Sequence, residues 1–386
     1  MQYCVVAVSS VLSCTVICGF LTWQSILYYF GYELDVAMSK SSLLHCQFDT
    51  SDLHLPSYEN NSWELLLENY ERFRDPNKFV IFKTEDWQGL CNRFMNSISI
   101  FLLAIATNRT LWIEWNTFNV TYITSVELGG IMAYNDLFAP SRFLNRPPYL
   151  DEDYFSGGFF PHEHCVSKHA RFGNLQKLDQ YRVIHFNRYD FWGTHLMNNK
   201  RYKNSIFRGL NVSDGFPFLF RKLFSLKKPV KTKTCSWMIQ YRTQWPPPFY
   251  TAPFDDFINC ANSSGLTPAD YSSTYVISDN PKKIMDTSSP FTKSILKQMN
   301  LPRSRVTSRG RSGDLKTMKT MYELSECKYA VVSLGSSFGS CIAGLAHVQK
   351  LFRVGHDGSC IPVQHGLIDA NCNAKNGCFS TYLANL

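Results

Sequence analysis

Three short stretches of this sequence combine residue types able to hold an anion. In "QGLCNRFMNS", Gly89, Cys91, Asn92 and Arg93 occupy a loop and the first turn of an apolar helix. The unpaired N–H groups and positive dipole end of a helix start favour anions. A guanidinium beside them can fork onto a phosphate or carboxylate. In "WMIQYRTQW", Arg242 closes an apolar run, and an arginine at the carboxyl end of a strand in a parallel sheet points toward the ligand-binding edge. In "YAVVSLGSSFGSCIAGLAHV", the turn Gly335, Ser336, Ser337 stands between a strand and a helix that begins around Phe338. That turn would offer N–H groups and two hydroxyls to a phosphate. Each feature also has a plainer explanation. Arg93 could pair with Glu85 or Asp86, the serines could cap their helix, and Arg242 could form a surface salt bridge.

The elements that must position these residues are readable from periodicity. Phe94, Ile98, Phe101, Leu102 and Ile105 recur at helical spacing, which predicts a core helix over 90–107. The β-forming runs "KFVIF" before it and "TLWIEW" after it complete a βαβ unit. A second series of strands is predicted at Ser236 to Tyr241, Thr274 to Ser278, Tyr329 to Leu334 and Lys350 to Gly355. Helices are predicted at Pro281 to Met299 and Gly313 to Cys327, and strands alternating with helices imply a second parallel sheet. The expected fold class is therefore α/β, with two parallel-sheet domains facing a cleft.

At 386 residues the chain accommodates two domains. The expected organisation is a signal anchor with a short cytosolic tail over 1–32 and a stem over 33–77, in which "WELLLENYERF" could form a short helix. An N-terminal domain would follow over 78–228 and a C-terminal domain over 229–386. The segment from Cys4 to Phe30 has no charged residue, and its roughly 27 positions give ~40 Å of helix, enough to cross a membrane. It lacks the basic start and short apolar core of a cleaved signal peptide. Glu33 and Asp35 follow it, which favours the amino end inside. The expected location is thus a Golgi membrane, single-pass type II, with a lumenal body. Sequons at Asn60, Asn108, Asn119, Asn211 and Asn262 suit a secretory route, although Asn108 could simply be a helix-to-strand turn. Of the 13 cysteines, Cys4, Cys14 and Cys18 fall in the apolar segment. Cys91 and Cys341, at predicted helix starts, are expected to be free. Cys46, Cys165, Cys235, Cys260, Cys327, Cys360, Cys372 and Cys378 are left for disulfides. The net charge of +8 is spread along the chain, which disfavours a nucleic-acid binder and leaves small anionic ligands open.

Taken together, "QGLCNRFMNSISIFLLAIATNRTLWIEW", "MIQYRTQ" and "MYELSECKYAVVSLGSSFGSCIAGLAHV" resemble the plant-type xyloglucan fucosyltransferase family, within the wider set of GDP-fucose-dependent fucosyltransferases. The family pattern reads approximately GLGNR, a strand ending in QxR, and S-x-x-STFG before a helix. The likeness runs from Phe79 to Lys375. It implies a GT-B fold of two Rossmann-like domains facing a cleft, and an inverting transfer of fucose from GDP-fucose to a glycan or polysaccharide acceptor, with no bound metal and no cofactor beyond the donor. It implies that Arg242 binds the diphosphate, that Ser336, Ser337 and Phe338 hold the phosphates and nucleoside, and that Asn92 and Arg93 complete the cleft. Cys91 stands where the family has glycine, and Ser337 where it has threonine. The family's proline-cysteine-phenylalanine-histidine stretch has no clean counterpart, with "NCNAK" nearest to it. An inverting reaction also needs a general base near the acceptor hydroxyl, for which Asp190 is a candidate, although a solvated loop aspartate is the plainer reading.

Two other readings stay open. Asp151 and Asp153 in "LDEDYF" form a D-x-D pattern of the kind that metal-dependent GT-A glycosyltransferases use, and two carboxylates around a divalent ion would serve the same leaving group. His162 to Cys165, "HEHC", resembles half of a zinc site with no second pair to complete it. The chain could also be an inactive lumenal glycan-binding relative that kept the fold.

Overall fold

The computed structural model describes residues 62–83, 89–114, 138–144, 182–186, 193–243, 252–301 and 311–363. Its elements form two parallel sheets that share one core. The first unit contains α1 (Trp63–Phe73), β1 (Asp75–Lys83), α2 (Leu90–Ala106), β2 (Arg109–Glu114) and β3 (Val183–Phe186). The short helices α3 (Gly193–Met197) and α4 (Lys200–Lys203) and the longer α5 (Val212–Leu223) follow. The second unit contains β4 (Trp237–Tyr241), α6 (Phe254–Ser263), β5 (Thr274–Ser278), α7 (Pro281–Thr287) and α8 (Pro290–Leu296). It continues with α9 (Arg311–Glu323), β6 (Tyr329–Ser333), α10 (Ser337–Ala346), β7 (Lys350–Val354) and β8 (Cys360–Val363).

The first sheet has the order β2-β1-β3, parallel throughout. The second has the order β5-β4-β6-β7-β8, parallel except for the antiparallel edge strand β8. The α/β class with parallel sheets is thus as the sequence predicts. Strands β4 and β6 are short and nearly continuous in apolar residues, the pattern of strands covered on both faces.

Helix α2 is where the structure departs from a single buried stripe. Every one of its residues except Asn92 is buried. A helix apolar all round must be covered all round. On one side α2 packs against Val80 and Phe82 of β1; on the other it meets α10 and α5. One apolar cluster therefore runs from Trp63 through α2 and α5 into Met238, Ala330 and Val332 of the second sheet. The opposite face of the second sheet carries Trp237, Ile239, Tyr241 and Val331 against Phe254, Phe257 and Ile258 of α6. Helix α1, the "WELLLENYERF" segment, buries Trp63, Leu66, Leu67 and Tyr70, and Tyr70 donates from its hydroxyl to the Arg109 carbonyl at 2.8 Å.

The helix predicted over Pro281 to Met299 is two helices. Ser289 precedes Pro290 and lies in the extended region, as a residue before proline must. Its hydroxyl accepts from the Thr292 N–H at 3.2 Å, while Asp255 accepts from the Ser289 N–H and hydroxyl. Among the described residues no helix is long and apolar enough to cross a membrane. The Cys4 to Phe30 segment lies outside them, as do Asp190, Asp151, Asp153, the "HEHC" stretch, Asn60, Asn119, Cys46, Cys165, Cys372 and Cys378.

Four of the cysteines predicted to pair form the bridges Cys235–Cys327 and Cys260–Cys360. Cys91 and Cys341 are free and buried. Cys91, in the first turn of α2, lies against the Cys341 thiol of α10 and 3.9 Å from the Met321 sulfur of α9. Its side chain fills the joint between the units. Burial, with the neighbouring Cys91 thiol adding to it, pushes the Cys341 thiol well above its ordinary pKa. Thiolates, not thiols, react, so peptide mapping after iodoacetamide treatment should find Cys91 and Cys341 unmodified in the native chain and modified after denaturation. Fast native labelling of either would contradict this packing.

A β-carbon placed on Gly215 in α5 would lie 2.1 Å from the Trp63 ring. Gly215→Ala must push α1 away from α5, and overpacking of this kind costs about 1–3 kcal/mol. Denaturant unfolding should show the loss, and Trp63 fluorescence should shift toward that of a more exposed indole.

Candidate functional site at the carboxyl edge of the second sheet

The chain enters the second sheet at β4, moves to β5 on one side, and returns to β6 on the other side of β4. The helices that leave β4 and β6 lie on opposite faces, α6 on one and α10 on the other. Adjacent strands whose outgoing chains part in this way open a crevice beyond their carboxyl ends, the place where open α/β sheets bind ligands.

Arg242 stands on one lip, directly after β4, half-buried. The other lip is the turn from β6 into α10. Gly335 has φ 72°, a left-handed conformation that costs a glycine little. Ser336 is the N-cap of α10; its buried hydroxyl accepts from the Gly339 N–H at 3.2 Å. The capping role is thus real and occupies that oxygen. Ser337 and Phe338, both half-buried, form the first turn, where N–H groups have no intrahelical acceptor and the dipole is positive.

The two lips are tied together. The Arg242 N–H donates to the Ser333 hydroxyl at 2.9 Å, and that hydroxyl donates to the Gln240 carbonyl at 3.4 Å. The Gln240 side-chain oxygen accepts from the Ser333 N–H at 3.3 Å. The same oxygen lies 2.7 Å from where a β-carbon on Gly339 would sit, with the Val332 β-carbon at 2.8 Å. Only glycine lets α10 start this close to β4 and β6. On the other side, the Thr243 N–H and hydroxyl both donate to Asp279 at 2.9 Å, beyond the end of β5. The carboxyl ends of three neighbouring strands are therefore held in one row of short polar contacts.

Asn92 and Arg93 lie in the first turn of α2, which abuts α10 through Cys91 and Cys341. Asn92 is the residue of α2 that reaches solvent, while Arg93 is completely enclosed. The structure thus brings the amino ends of α2 and α10 to the same side of the joint. Glu85 and Asp86, possible partners of Arg93, lie outside the described residues. Cys91 does not take up space in the crevice, because its side chain turns into the core against Met321.

Two further residues have surroundings that the sequence does not reveal. Gln240 belongs to the "IQYR" run, but nothing in that run says that its amide, rather than the arginine, fixes the geometry. Asp314, in the first turn of α9, is a buried carboxylate at 1% exposure. An acid in a first helical turn is so commonly a dipole partner that its sequence position gave no signal. Among the described residues no group of three or more histidine, cysteine or acidic side chains could hold a metal.

No family model and no curated protein matches this chain. Several solved structures resemble it loosely. The Arabidopsis thaliana FUT1 mutant in complex with GDP is 16% identical with a TM-score of 0.43, over 81% of this chain and 85% of that one. The NodZ alpha-1,6-fucosyltransferase soaked with GDP-fucose is 15% identical with a TM-score of 0.42, over 75% and 100%. NodZ from Bradyrhizobium is 14% identical with a TM-score of 0.42, over 76% and 100%. Likeness at this level assigns neither ligand nor activity to the present chain.

The Gln240 contacts make a direct prediction about stability. Gly339→Ala should cost about 1–3 kcal/mol by overpacking. Gln240→Leu should cost a similar amount, about 1–3 kcal/mol, by leaving a buried N–H unsatisfied. Because both act on one contact, the double variant measured by urea unfolding should lose clearly less than the sum.

Proposed function

We propose that this protein is a fucosyltransferase that moves fucose from GDP-fucose to a glycan. The observation that supports this best is the crevice between β4 and β6, with Arg242 on one lip and the first turn of α10 on the other. In sugar transfer from a nucleoside diphosphate, negative charge grows on the leaving diphosphate as the C–O bond breaks. Fixed N–H donors and a guanidinium aimed at that charge stabilise it without reorganisation.

In this reading Arg242 binds the diphosphate and the N–H groups of Ser337 and Phe338 hold its oxygens. Ser336 and Gln240 act as positioning residues, because one caps α10 and the other locks it to β4. Asn92 faces the donor from α2, and the enclosed Arg93 completes the positive wall behind it. The choice of GDP-fucose comes from the motifs Gly89 to Arg93, Gln240 to Arg242 and Ser333 to Gly339. The finer expectations are those of the resemblance: a GT-B arrangement, inversion without metal, and acceptor activation by a base for which Asp190 is the candidate. The polysaccharide acceptor follows the same resemblance. A type II Golgi membrane location follows the Cys4 to Phe30 segment.

Binding of GDP to the chain from about residue 40, with UDP as control and with or without EDTA, tests the reading. GDP should be preferred, EDTA should have no effect, and Arg242→Ala should abolish binding. With an acceptor found, Arg242→Ala should lower turnover by ~10²–10³. UDP binding that requires Mn²⁺ would overturn the proposal in favour of Asp151 and Asp153.

A further inference from the structure

At the amino ends of β4 and β5, opposite the crevice, the surface carries an open groove of about 820 Å³. It lies between the loop 229–234 that leads into β4, the start of β5, and the carboxyl half of α9. Strands of five residues at about 3.3 Å per residue put it ~16 Å from the Arg242 lip. Its volume is that of a ligand site for a molecule of several rings.

The wall is rigid. The Lys233 ammonium lies 2.6 Å from Glu323 and 5.2 Å from the centre of the Tyr275 ring. The Lys233 N–H donates to the Glu323 carbonyl, and the adjacent Cys235–Cys327 bridge fastens the entry of β4 to the end of α9. Glu323, the one acid lining the groove, is thereby neutralised. Lys231 on the loop and Lys319 on α9 both line the groove, exposed and with no carboxylate partner among the described residues. Serine and threonine hydroxyls fill much of the remaining lining.

We infer that this groove binds a carboxylate-bearing oligosaccharide, separately from the donor crevice. Two exposed lysines from different elements of the lining supply the charge, and the hydroxyls and the Tyr275 edge suit a polar ring. A lipid surface is a poorer match, because the lysines line a concavity and none of the exposed large apolar side chains among the described residues, Phe73, Met285, Phe291, Leu315 and Ile361, lines it.

The experiment is titration of the full chain with a uronic-acid tetrasaccharide, its neutral methyl ester, and vesicles containing an anionic lipid. The acid form should bind and the ester should not. Lys231→Glu with Lys319→Glu should weaken binding about tenfold or more, and raising salt from about 50 to about 200 mM should also weaken it. Arg242→Ala should leave it unchanged, which separates this groove from the donor site. Lys231→Gln with Lys319→Gln gives a milder pair, and circular dichroism confirms that either pair is folded. Unaltered affinity in both lysine pairs would overturn the assignment. So would loss of binding in Arg242→Ala, or vesicle binding that is tighter than saccharide binding and is weakened by the lysine substitutions.

Discussion

The structure depends on a helix that cannot tolerate water on any side. Seventeen residues long and enclosed everywhere but at Asn92, α2 needs a sheet on one flank and other helices on the rest. The first sheet cannot supply all of that cover, so α10 and α5 do. Burial of apolar surface contributes about 25 cal/mol per Å², and the many side chains enclosed along α2, Phe94 and Phe101 among them, together offset the cost of fixing the two units against each other. The joint is therefore a core rather than a hinge lined with water.

That joint also explains the chemistry of small groups at the crevice. Once α10 is held by α2, its amino end must reach the β4 and β6 ends at very short range. Gly339 permits the approach, the Gln240 amide fills the remaining gap, and Ser333 links the Arg242 backbone to Gln240. Preorganised donors of this sort are effective because they need no rearrangement when charge develops.

Much of this was legible in the residues. The strands Thr274–Ser278 and Tyr329–Ser333 stand out because β-branched and aromatic runs bounded by polar residues have few other uses. The turn at Gly335 was visible from its run of small residues. What stayed hidden was tertiary. The full burial of α2 depends on partners more than 200 residues away in sequence, such as Met321, which is 230 residues from Cys91. A helical stripe cannot reveal a second covered face. The break before Pro290 was underread because Ile284, Ile295 and Leu296 keep an apolar spacing across two helices. Gln240 and Asp314 are side chains whose meaning lies in what surrounds them.

The two disulfides have a consequence for the order of events in synthesis. Cys235–Cys327 and Cys260–Cys360 close stretches separated by 92 and 100 residues, and the stretches overlap. Neither bridge can form until most of the second unit has left the ribosome, whereas β1, α2 and β2 are complete by residue 114. For that interval the outer flank of α2 has no α10 to cover it. The nascent chain must carry an exposed apolar helix for the time it takes to make more than 200 further residues, since α10 ends only at Ala346. During that interval the exposed apolar flank is open to aggregation, which competes with the docking of α10.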